Sequence, residues 1–163
     1  MKMPILQPLP IATKGAGVFV RGWRWFTNIR KWKVVEEYSL SIDGVHLVIP
    51  PGFVFDGASI PRVFWSVLSP TGLLLIPGLF HDFGYRHDYL WRALPGGHEK
   101  WNEGAGKAFW DKLFMRIGKQ VNGVYFANYV AWIALFVGGF GAWKHNRNLG
   151  YDRHPAGRGE TPE

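Results

Sequence analysis

The order of local patterns constrains this chain most: strand signals come first and helical signals follow. Residues 34–55 read as strands. The run WKVVEEYSLSI leads into Asp43-Gly44 and then VHLVI, and Asp-Gly between apolar runs is a hairpin signal. Pro50-Pro51-Gly52 breaks the chain before Phe53-Val54-Phe55. From residue 71 onward the pattern is helical, with a first helix expected over about 73–90 and Pro77 near its first turn. Gly96-Gly97 separates it from a second helix expected over about 99–117, and Asn122-Gly123 separates that from a third over about 124–143. Strands followed by helices predict an α+β fold: an N-terminal β-hairpin or small antiparallel sheet, then about three helices. A chain of 163 residues with no internal repeat and no linker fits one such domain. Its expected core is 32–143. An extended basic and aromatic arm (1–31, with Pro4, Pro8, Pro10 and Gly15) precedes it, and a flexible basic tail (144–163) follows.

Composition allows that core, since hydrophobic residues make up 47% of the chain and include 9 Trp and 12 Phe, which bury large areas. The absence of cysteine excludes disulfides, thiolate metal sites and a Cys nucleophile, and fits a reducing cytosol or a virion protein made there. The opening MKMPILQPLPIATKG holds three prolines and no long apolar run, unlike a secretory signal. A formal net charge of +7 favours an anionic partner: nucleic acid, a phospholipid surface or an acidic protein. No Walker A, Rossmann, zinc-ligand or G-x-S-x-G pattern is present.

Chemistry-bearing residues concentrate in HDFGYR. His81 and Tyr85 are i,i+4 neighbours and Asp82 and Tyr85 are i,i+3 neighbours, so all three can converge on one side of a helix. His is the side chain best suited to move a proton near neutral pH, and a carboxylate beside it can hold a hard cation. Two more carboxylates can join. Asp56 lies in FVFDGASIPR, where Gly57 permits a tight turn and Pro61 stiffens the exit. Asp111 lies in AFWDKLF on the second helix, which can aim it at His81 if the two helices pack antiparallel. The alternative is structural: a satisfied buried His–Asp pair, with Asp56 in an Asx-turn or a cap.

Two other stretches bear on partners. Residues 120–143 carry no charge and are long enough to cross a bilayer core of about 30 Å. They read either as a helix buried within the protein or between subunits, or as a membrane span. Asn122, Asn128 and several glycines favour the buried helix. Residues 21–33 mix Arg and Lys with Trp, as lipid-interface and single-strand-binding surfaces do. The simpler reading of that run is a strand with aromatics inward and charges outward.

The pattern GFVFDGASIPR, then FHDFGYR, then Asp111-Lys112-Leu113-Phe114, then an apolar helix ending FGAW resembles the phage and prophage family called domain of unknown function 1353, over roughly residues 32–143. The resemblance implies a phage-type accessory protein located in host cytoplasm or virion, with membrane association open through 120–143. More distantly, HDFGYR is similar to the helix motif of bacterial and fungal phospholipases A2. That similarity implies His81 as general base, Asp82 as a calcium ligand, and Tyr85 and Asp111 as supports for His81. Asp56 and Gly57 would lie near the segment that supplies calcium with carbonyl oxygens, and Ser59 and Arg86 complete the two motifs. The disulfides typical of those phospholipases have no counterpart here. The expected function is thus a calcium-assisted lipid or ester hydrolase, with a phospholipid surface or phage structural proteins as partners, nucleic acid less favoured and an oligomer open. The alternatives are a non-enzymatic virion or tail component and a small membrane-associated phage protein.

Overall fold

A computed structural model describes residues 2–9, 31–55 and 72–150. Asp56, Gly57 and Ser59, most of the basic–aromatic run and the tail beyond Gly150 lie outside the described residues. The strands are β1 (Leu6–Pro8), β2 (Trp32–Val34), β3 (Tyr38–Ile42), β4 (Val45–Ile49), β5 (Val54–Phe55), β6 (Leu90–Leu94) and β7 (Gly97–Trp101). They form two antiparallel sheets, ordered β1-β2-β5 and β3-β4-β6-β7. Asp43 and Gly44 both take positive φ, 49° and 78°, and close the two-residue hairpin that pairs Ile42 with Val45. Along β3 the alternation sends Tyr38, Leu40 and Ile42 into the core and leaves Ser39 and Ser41 outside. The run WKVVEEYSLSI is two strands rather than one, because the chain changes sheets across Val35–Glu37. Residues 6–8 of the extended arm pair with β2.

The helices are α1 (Leu75–His87), α2 (Lys107–Asn122) and α3 (Tyr125–Asn148), so the fold is α+β. Pro77 sits in the first turn of α1, where its missing N–H has no helical acceptor to lose. Three expected boundaries are corrected. The first helix stops at His87, because Asp88 turns left-handed (φ 57°) and donates its N–H to Gly84 O at 2.9 Å. Residues 90–101 form the β6–β7 hairpin about Pro95-Gly96, so the second helix begins at Lys107 rather than near 99. The third helix runs on to Asn148, into the stretch expected to be flexible tail.

α1 is central: it meets β5 and β6 on one side and both other helices on the other. One core joins Leu40, Leu47, Phe53 and Phe55 from the strands with Leu79, Phe80 and Phe83 from α1 and Trp110 and Leu113 from α2. Gly84 lets α1 and α2 close, since a Cβ there would lie 2.6 Å from the Trp110 ring. α3 lies outside this core. Of its residues only Ala127, Asn128, Ala131 and Gly139 are buried, so the third helix is not the buried core helix expected within the chain. Small side chains dock it, with Val130, Leu135 and Trp143 packed beside them. Phe126, Tyr129, Ile133 and Val137 are exposed, as are Phe136 and Phe140, whose rings meet the Lys107 ammonium.

Candidate functional site

α1 presents His81 and Tyr85 one turn apart, and α2 presents Lys107 and Asp111 one turn apart. These four converge on the Asp111 carboxylate, which is 1% exposed. Asp111 Oδ1 lies 3.0 Å from His81 Nε2 and accepts from Tyr85 OH at 2.6 Å. Asp111 Oδ2 accepts from Lys107 Nζ at 2.6 Å. The same ammonium donates to the main-chain carbonyls of Leu135 and Phe136 in α3, at 3.1 and 3.3 Å. Three protons therefore meet three oxygens, and Lys107 ties α2 to α3 through the centre of the site.

Electrostatics fix the protonation. Burial alone would raise the Asp111 pKa, but His81, Lys107 and Tyr85 together hold it below its ordinary value. Asp111 is thus an ionised acceptor, so His81 Nε2 carries the proton and the neutral ring keeps its lone pair on Nδ1. Burial also works against the charged imidazole, yet Asp111 and then Asp82 outweigh it and raise the His81 pKa above 6.5. Nδ1 lies 3.8 Å from Asp82 Oδ1, and Asp82 is 22% exposed against 3% for His81. In the neutral ring Nδ1 therefore faces the Asp82 carboxylate. Burial, with Asp111 beside it, pushes the Tyr85 hydroxyl far above its usual range, so Tyr85 stays a donor.

The structure thus brings together His81, Asp82, Tyr85 and Asp111. Arg86 leaves α1 in another direction, donating to Val54 O in β5 at 2.8 Å and covering the Phe53 ring. The position of Asp56, Gly57 and Ser59 relative to His81 falls outside the described residues. Sequence reading missed Lys107, although its i,i+4 spacing to Asp111 was a readable signal. It also missed the support behind the site. Asp88 accepts from Trp110 Nε1 at 2.7 Å and from Gly106 N–H at 3.0 Å. Arg147 from α3 donates to the Tyr85 and Arg86 carbonyls at the end of α1, at 2.8 and 2.6 Å.

Calcium takes six to eight oxygen ligands. Among the described residues no three His, Asp or Glu side chains are grouped to hold a metal, and the Asp111 oxygens already face the Lys107 ammonium. Asp82 is the calcium ligand that the motif similarity names within the described residues.

A family model described as Protein of unknown function (DUF1353) matches residues 32–135, from β2 to the middle of α3, and so spans His81, Lys107 and Asp111. No curated protein and no solved structure matches the chain.

Proposed function

The chain belongs to the DUF1353 family, and we propose that its His81–Asp111 pair is the supported general base of a lipid or ester hydrolase in a phage-type accessory protein. One observation carries the reading: Asp111 holds Nε2–H of His81, so in the neutral ring, the form present above its raised pKa, Nδ1 beside Asp82 is left to accept a proton. In the proposed reaction Nδ1 takes a proton from water as the water oxygen bonds to the ester carbonyl carbon. The carbon–oxygen ester bond then breaks, and the proton passes from Nδ1 to the leaving alkoxide. Tyr85 and Lys107 act one step back, positioning Asp111. In this proposal Asp82 and, outside the described residues, Asp56 would supply oxygen ligands to calcium, which would polarise the ester carbonyl.

A second reading has its own support. His81 is 3% exposed, and Lys107 neutralises the carboxylate behind it while fastening α3. The same network then serves as a polar lock in a non-enzymatic virion or tail component. Fatty-acid release from phospholipid vesicles, with and without calcium, separates the two readings when paired with a thermal melt. For the base, His81→Ala abolishes turnover while most of the folding stability remains. No release by the parent protein under either condition, with a melt lowered by many degrees in His81→Ala, would leave the lock. That loss would correspond to about 1–3 kcal/mol for an unpartnered buried group.

A further inference from the structure

We infer that the outward face of α3 is a docking surface for an anionic phospholipid bilayer, with the helix lying in the plane of the interface rather than crossing it. The inference stands apart from the hydrolase reading and rests on a different element.

Phe126, Tyr129, Ile133, Phe136, Val137 and Phe140 are 42–73% exposed, and at 100° per residue they share an arc of about 100° on α3. An apolar stripe of this length on one helix is more than scattered surface hydrophobes, and it calls for a covering partner. Tyr129, Trp132 and Phe136 stack in succession at 5.9 and 5.7 Å, and such amphipathic rings suit a lipid interface. The opposite face is occupied from Asn128 to Gly139, and Arg147 fastens the C-terminal end. Asn128 pairs with Asn122, Lys107 holds the carbonyls of Leu135 and Phe136, Gly139 packs on Tyr85, and Arg147 holds the end of α1. A helix fastened every few turns to α1 and α2 can offer lipid one face without leaving the domain.

Charge selects the partner. Between Asp111 and Asp152 the sequence has no carboxylate, but it has Lys112, Arg116, Lys119, Lys144 and Arg147. Lys119 and Lys144 are exposed, one before the stripe and one at its end. A second copy laid on this face, parallel or antiparallel, would set cation against cation. Anionic headgroups would neutralise both ends at once. Beside Lys119 a cleft of about 320 Å³ is lined by Met115, Tyr125, Phe126 and Tyr129, so a cation and an apolar hollow are already adjacent.

The test is co-sedimentation of the full chain with vesicles of phosphatidylcholine alone and of phosphatidylcholine mixed equally with phosphatidylglycerol. Binding is expected to the mixed vesicles and to be released by a carbonate wash. Phe126→Ser combined with Val137→Ser, and separately Lys119→Gln combined with Lys144→Gln, should each weaken it at least about tenfold. Circular dichroism melts of both variants should match the parent, because all four side chains are exposed. Equal binding to both vesicle types, or unchanged binding by either variant, would overturn the inference. So would carbonate-resistant insertion, which marks a span. A lipid-free dimer that Phe126→Ser with Val137→Ser dissolves, with no vesicle binding, would assign the face to a second copy.

Discussion

Lys107 sets the character of the polar centre more than any residue except Asp111. Its ammonium compensates the Asp111 charge and satisfies two carbonyls of α3, so its loss leaves a buried carboxylate with weaker support. Lys107→Met should lower stability by about 3 kcal/mol in a denaturant titration, and it should raise the protease sensitivity of α3 before that of α1. Equal stability in the variant would mean that Asp111 does not depend on Lys107. The His81–Asp111 contact was legible in the sequence, because i,i+4 spacing and an antiparallel second helix suffice to suggest it. The carbonyl contacts of Lys107 were not, since no local pattern tells which main-chain oxygens a side chain will reach. Gly139 was equally hidden. A Cβ there would lie 2.5 Å from Tyr85 OH, so Gly139→Ala should destabilise by about 1–3 kcal/mol. Gly138→Ala, which meets nothing within 4 Å, should instead stabilise α3 by about 0.5–1 kcal/mol. Thermal melts of the two neighbours side by side check the contrast.

At the scale of elements, legibility followed the strength of the local signal. Asp43-Gly44 demands positive φ at two successive residues, and few structures other than a tight hairpin supply that. The β6–β7 hairpin carried a turn signal in Pro95-Gly96-Gly97, but its strands carried no alternation to match. Its strands have five residues each, only Leu90 is fully buried, and the ladder is held by the Arg92–Glu99 pair and by Lys100 over the Tyr89 ring. Those are cross-strand contacts, invisible until the register is known. The start of α2 was misplaced for the same reason, because the hairpin consumes residues that also have helical propensity. Packing of α1 on α2 is set by Gly84 against Trp110. Gly84→Ala should force the two helices apart and cost about 1–3 kcal/mol by chemical denaturation. A neutral result would show that Trp110 can move aside, and would weaken the view that its bond to Asp88 fixes the crossing.

Across the whole molecule, the position of α3 was the least legible feature. A 24-residue helix with no charge over residues 125–143 suits a core, a bilayer or a lipid-facing surface equally, and only the packing of its neighbours chooses. Here the strands cover the other side of α1, so α3 meets the body through one narrow face. The buried ionic centre should also shape the response of the whole fold to pH. Asp111 has a lowered pKa in the folded state, so its contribution is present above its ordinary value of 3.8 and fades as pH falls through the lower, folded value. His81 has a raised pKa, so its contribution is full below 6.5 and fades as pH rises through the higher, folded value. Melting temperature should therefore be highest between these limits, and Asp111→Asn should flatten both flanks. Unchanged flanks in that variant would place the pH dependence elsewhere.

The proposed base depends on which nitrogen of His81 holds the proton, and nitrogen-15 chemical shifts of the ring against pH read that directly. The neutral ring should be protonated at Nε2 and bare at Nδ1, and it should convert to imidazolium on acidification with a midpoint above 6.5. A neutral ring protonated at Nδ1, or a ring that stays in one protonation state throughout the range in which the protein is folded, would contradict a base held by Asp111.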